Sequence, residues 1–334
     1  MNTTPVSLSR RLLAAGLLGL ALLGMAGVTP ARAAAPKVEG QAPGFYRTTL
    51  GDVEITALSD GTHAFPVTTV MQGVTPKQLE AALRYDFLAP PVAGSINAFL
   101  INTGKRLVLI DSGAGLLYGD CCGRLQAHLR AAGYAPEQID AVYLTHLHKD
   151  HVGGITRNGV MQFPNATIYV SAHELAYWTS PAAKAAAPDF LSSFFDAAVA
   201  ALQPYQQAGR VRTIEAPGPL ADDGLEAIAT PGHTPGHLSY VLHRGDQTLV
   251  VWGDIVHVAS LQLPRPEITV KYDSDAAAAR RSRTELAGQV VQRRYLVAAA
   301  HVAFPGLGHL RRAPQGRGYE WVPLNYDEQG GSPH

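Results

Sequence analysis

The stretch that decides how this chain folds is "THLHKDHVGG", residues 145–154. Three imidazoles and one carboxylate, His146, His148, Asp150 and His151, crowd onto one short segment. Such a cluster would repel itself when protonated and gains little from packing, so a metal is the simplest compensation. The competing reading is a polar loop that is rich in histidine without any ligand role. Residues two apart on an extended segment point the same way, so His146 and His148 can serve one ion. Asp150 and His151 follow a turn of the chain and can face a second ion. Gly153 and Gly154 let the backbone bend tightly past the cluster.

Outward from this loop, the chain repeats one order: strand, helix, strand, then a polar loop. "IDAVYLT" (139–145) reads as a buried strand that runs straight into His146. "SINAFLINTGKRLVLIDSG" (95–113) reads as two strands about the turn Thr103-Gly104-Lys105, and "GRLQAHLRAAGY" (123–134) as a helix stopping at Gly133. "APGFYRTTLGDVEITALSDG" (42–61) predicts a strand ending in a turn at Asp60-Gly61. In the second half, "LEAIATPGH", "LSYVLH", "QTLVVWGD" and "YLVAAAH" are strand-like, and "SDAAAARRSRTELAGQVVQ" is a helix capped by Ser274 or Asp275. Three of those strands deliver further donors: His233, Asp254 and His301. Imidazole and carboxylate are the groups that zinc and similar divalent ions bind. His233 would complete the set begun by His146 and His148, and His301 the set begun by Asp150 and His151. Asp254, with two oxygens, can bridge. One α+β domain, residues 34–334, arranged as a four-layer αββα sandwich, fits this order.

Of the 334 residues, 46% are hydrophobic and 16% charged, with 27 Lys+Arg against 27 Asp+Glu. That composition is globular, and it lacks the basic excess that nucleic-acid binding requires. Residues 1–33 stand apart: Arg10 and Arg11, an apolar run from Leu12 to Val28, then Ala31-Arg32-Ala33. This is the pattern of a signal peptide, so the expectation is an exported, periplasmic or secreted protein with no membrane attachment after cleavage. Ser9-Arg10-Arg11 also suggests twin-arginine export. Cys121 and Cys122 are adjacent, cannot staple distant segments, and are read as incidental.

The segment "THLHKDHVGG", with histidine, aspartate and histidine following at these intervals, resembles the H-x-H-x-D-H signature of the metallo-β-lactamase superfamily. "NTGKRLVLIDSGAG", "AAGYAPEQID", "HTPGHLSYV", "AFPGLGH" and "GYEWVPLNY" extend the likeness to its methyl parathion hydrolase-like group. The resemblance implies a binuclear site: His146, His148 and His233 on one divalent ion, Asp150, His151 and His301 on the other, Asp254 between them. Zinc comes first among the candidate ions, with manganese, cobalt or iron as alternatives. It further implies hydrolysis through a metal-bridging hydroxide, with Asp150 and Asp254 catalytic, and a homodimer. Tyr118, Trp178 and Phe195 fall where such enzymes line the pocket mouth with aromatic rings. His257 and Tyr272 replace leucines of the parathion-cleaving pattern, and Met71 replaces an arginine. A more polar pocket of this kind favours a lactone or aryl ester over a bulky phosphotriester. A phosphotriesterase is the runner-up, and a mononuclear iron sulfur oxygenase is the alternative from another class.

Overall fold

The structure, a computed structural model, describes residue 1 and residues 35–220, 224–314 and 316–328. The signal-peptide expectation for residues 1–33 lies, apart from Met1, outside the described residues. Residues 35–42 carry neither helix nor strand, and the main compact unit is Pro43–His334.

Two seven-stranded sheets dominate, each with its strands side by side in chain order. The first comprises Phe45–Leu50, Val53–Phe65, Val92–Asn102, Leu107–Ile110, Ala141–Tyr143, Thr167–Ser171 and Val211–Ile214. Its first four strands are antiparallel and its last four run parallel, sharing Leu107–Ile110. The second comprises Gly218–Pro219, Leu225–Ala229, Leu238–Arg244, Gln247–Val251, Leu296–Ala298, Leu307–Arg312 and Tyr319–Pro323. It is antiparallel except where Gln247–Val251 meets Leu296–Ala298.

The two-residue period of the strands sorts their side chains into three layers of core. Ile55, Phe99, Ile101, Val108, Ile110 and Tyr143 of the first sheet meet Tyr240, Leu242, Leu249, Val251 and Ala298 of the second. The alternate residues Leu100, Leu109, Val142, Ile168 and Val170 face outward, onto helices Leu125–Ala131 and Ser192–Gln207. On the far side, Val241, Val250 and Val297 pack against Leu286, Ala287 and Val290 of helix Ala276–Arg293. Helix, sheet, sheet, helix is the layering expected from the sequence. Of the two candidate caps of the last helix, Asp275 is the one used: its carboxylate accepts from Ala277 N and Ala278 N.

One local expectation is corrected. Asp60-Gly61 is not a turn: the hairpin turn falls at Gly51-Asp52, and strand Val53–Phe65 runs through Asp60-Gly61 with a bulge between Ser59 and Gly61. Asp60 is buried because its carboxylate accepts from Ala114 N, Gly123 N and Leu125 N. Gly61 (φ +148°) is required because a Cβ there would lie 2.1 Å from Cys121 O.

Candidate metal centre

The loops that leave four strand ends converge on one edge of the sandwich. Ala141–Tyr143 leads into His146 and His148, and a short helix Lys149–Val152 carries Asp150 and His151. His233 follows Leu225–Ala229, Asp254 follows Gln247–Val251, and His301 follows Leu296–Ala298. The donor atoms form two groups, His146/His148/His233/Asp254 and Asp150/His151/His301, each within a 4.8 Å span. Asp254 faces both. Its Oδ2 lies 3.2 Å from His233 Nε2 and 3.6 Å from His146 Nε2. Its Oδ1 lies 3.0 Å from His151 Nε2 and 3.1 Å from His301 Nε2. Asp150 Oδ2 lies 3.5 Å from His301 Nε2 and accepts nothing closer from it.

Whether these residues suit divalent ions is decided by atoms left without partners. His146 Nε2, His151 Nε2 and Asp254 Oδ1 are buried and make no hydrogen bond among the described residues. Protein interiors seldom leave such groups unsatisfied. A cation accepting lone pairs from all of them removes the cost, so the donor set fits. Burial first, and neighbouring imidazoles next, push His146 and His148 well below the usual histidine range, which keeps them neutral and able to donate to a metal. For Asp254, burial acts to raise the pKa, but His151 and His301 outweigh it and hold the carboxyl well below its ordinary value.

The far ring nitrogens are fixed from behind, which aims the near ones. His151 Nδ1 meets Asp111 Oδ2 at 2.8 Å, and Asp111 also accepts from Thr145 N and Thr145 Oγ1. His233 Nδ1 meets Asp273 Oδ1 at 2.8 Å, and His301 Nδ1 meets Ser95 O at 2.8 Å. Asp111 holds φ +59°, an uncommon backbone state for a residue with a Cβ, beside the site. His237 accepts from Asp254 N through Nε2 and is pushed down to about 3 by burial, so it is a neutral acceptor. Glu174, fully buried, accepts from Leu147 N, Trp178 Nε1, Thr234 Oγ1 and Gly236 N. One carboxylate thus ties the His146/His148 loop to the His233 loop. Sequence reasoning missed Asp111, Asp273, His237 and Glu174. Only the "IDSG" and "TPGHTPGH" segments, adjoining strand ends, offered a signal for the first and third.

Over the donors lies a narrow cleft, about 550 Å³ when the open solvent at its mouth is included, lined among others by His63, Phe65, Tyr118, Phe194, His257 and Tyr272. Tyr118 donates to Asp150 Oδ1 at 3.4 Å, and burial, then Asp150, pushes its phenol well above the ordinary range, so it stays a donor. His257 Nε2 stands 3.1 Å from Asp254 Oδ2. Three expected pocket residues are elsewhere. Trp178 and Phe195 are buried in the outer core with ring centroids 4.5 Å apart, and Trp178 backs the His148 ring at 5.1 Å. Met71 packs among Val67, Leu79 and Val258, paired with Val270. In the "SFF" run, Phe194 reaches the cleft and Phe195 the core, because neighbours on a helix differ by about 100° in direction. Lys149 points away from the donors, donating to Ser193 Oγ at 2.7 Å.

The chain matches the metallo-beta-lactamase superfamily over residues 91–301, and it belongs to that superfamily. A solved hydrolase of the beta lactamase superfamily, AbOPH, is 38% identical with a TM-score of 0.82, covering 86% of this chain and 100% of its own. AidC, a dizinc quorum-quenching lactonase solved with a homoserine product, is 26% identical with a TM-score of 0.78, covering 85% and 99%. The probable metallo-hydrolase YflN of Bacillus subtilis is 31% identical over 207 residues, 57% of this chain and 70% of that protein.

Proposed function

We propose that this chain is a binuclear metal-dependent hydrolase of lactones and aryl esters. One observation carries the reading: the two oxygens of buried Asp254 are divided between two separate imidazole groups on the floor of one cleft. His146, His148 and His233 would hold one divalent ion, Asp150, His151 and His301 the other, with zinc the first candidate. Such ions supply Lewis acidity and a water that ionises near neutral pH.

The chain's own groups account for the rest. Asp254 fixes the spacing of the two donor groups, and Asp111, Asp273 and Ser95 O keep the imidazoles aimed. Water's oxygen bonds to the carbonyl carbon, the acyl–oxygen bond breaks, and the proton ends on the leaving oxygen. Asp150 is placed to carry that proton, with the Tyr118 hydroxyl on its other oxygen. Phe65 and Phe194 give the cleft flat apolar walls, and His257 and Tyr272 add polar edges suited to a planar ester. The lactonase named among the structural relatives supports the same substrate class. Export, from the pattern of residues 1–33, and a homodimer, from the family resemblance, complete the proposal.

The test is kcat/KM of the purified protein for dihydrocoumarin, an N-acyl homoserine lactone and methyl paraoxon, with bound metal counted in parallel. Lactone turnover with about two ions per chain, lost in Asp254→Ala, is the expected result. A preference for the phosphotriester would transfer the function to that class. About one iron per chain and no hydrolysis would overturn it in favour of an oxygenase.

A further inference from the structure

A run of aromatic contacts leads from the donor cluster to the surface. The Phe194 ring stands 5.1 Å from His148 at the cleft floor. Tyr272 lies 6.1 Å from Phe194, and Phe190 lies 5.8 Å beyond Tyr272, 40% exposed to solvent. Ammonium groups rest on this wall. Lys149 Nζ lies 4.8 Å from the Phe194 centroid, with its charge shared among Asp150, Asp196 and the Ser193 hydroxyl. Lys271 differs. Its Nζ lies 4.9 Å from the Phe190 centroid and 5.7 Å from that of Tyr272, and it makes no ion pair with a carboxylate among the described residues. An ammonium held over rings at the outer end of an apolar wall is placed to meet an anion at the far end of a flat body.

We infer that Phe194, Tyr272 and Phe190 form a subsite for an aryl or similarly flat substituent, and that Lys271 selects those carrying a negative charge at their outer end. The preferred substrates are then anionic aryl esters or lactones, and Lys271 is a specificity-determining residue. This rests on the hydrolase reading for its reaction, but the binding it describes does not.

The test compares 4-acetoxybenzenesulfonate with phenyl acetate, since a sulfonate is a weak metal ligand and reports the far end of the site. The readout is the ratio of their kcat/KM values in the metal-loaded wild type and in Lys271→Gln, because comparing variants cancels the intrinsic reactivity of the esters. The ratio falls about threefold in Lys271→Gln, the scale of one partly exposed ion pair. It falls further in Lys271→Glu, and high salt erodes it in the wild type but not in Lys271→Gln. Calorimetric binding of 4-hydroxybenzenesulfonate to the metal-loaded protein weakens with the same substitutions. An unchanged ratio, insensitive to salt, overturns the inference. If neither ester is turned over, the aryl-ester part of the proposed function fails while lactone turnover still tests the hydrolase reading, and calorimetry decides the subsite alone: binding that depends on Lys271 supports it, whereas absent or Lys271-independent binding removes it.

Discussion

Glu174→Gln removes one charge and keeps the shape, and its effect can be worked from the contacts. Oε1 accepts from Leu147 N at 3.0 Å and Trp178 Nε1 at 2.6 Å, and Oε2 from Thr234 Oγ1 at 2.8 Å and Gly236 N at 2.9 Å. A carboxamide has one acceptor oxygen, so its NH2 must face one of these donor pairs. The less costly choice is the Thr234/Gly236 side, where the hydroxyl can rotate and accept instead. Gly236 N–H is then buried with no acceptor, and two charge-assisted bonds become neutral ones. Relief from carrying a buried charge offsets part of this, since burial already lifts the Glu174 pKa above its ordinary value. The remaining loss is about 2–4 kcal/mol, or about 3–7 °C in the melting temperature of a unit this size. The loop released is that of His233, and the bond that holds the His146/His148 loop weakens, so metal affinity falls with stability, by roughly 10–100-fold. Thermal unfolding of the metal-free protein gives the first number, and competition with a chelator gives the second. A variant that melts within about 1 °C of wild type and holds its metal equally well would refute the account of Glu174 as the tie between the two loops.

Asp273→Asn takes the charge from the group behind His233 Nδ1 and weakens metal binding by roughly 10-fold or more, read by the same chelator competition. Gly236→Ala places a Cβ 2.3 Å from Glu174 N; the loop must shift, and a loss of at least about 1 kcal/mol is expected, read by denaturant unfolding. Tyr205 is buried, its hydroxyl accepting from Phe163 N and donating to Ile155 O or Phe163 O, and burial pushes its pKa up to about 12 from 10.0. The unfolded chain therefore loses this proton first as pH rises. Stability is full below pH ~10 and falls by about 1.4 kcal/mol per pH unit until pH ~12. Tyr205→Phe flattens that part of the stability–pH curve, and an unaltered slope would sink the argument.

Some of this was legible in residue order, and some was not. The strands, the long helix Ala276–Arg293 and the αββα layering followed from period and punctuation. The Asp60-Gly61 step did not: the dipeptide is a good turn former, and its place inside a strand depends on three backbone donors from residues 114–125. The pocket was the weakest reading. Trp178, Phe195 and Met71 are apolar residues assigned to the pocket by the family resemblance, and apolar side chains serve core and cleft equally well. Phe194 and Phe195 are chemically identical, so only helix rotation separates them.

The sequence by itself determined the kind of chemistry. Seven donors at strand ends carry their identity in their side chains, and a dense His/Asp segment has few stable uses other than holding cations. Tertiary structure alone decided the division of Asp254 between two groups, the tie through Glu174 across 62 residues to Gly236, and the ring wall ending at Lys271. These are relations between distant segments, set by how two sheets pack and which way each loop leaves its strand. No local pattern encodes them, because each partner alone is an ordinary buried acid, aromatic ring or surface lysine.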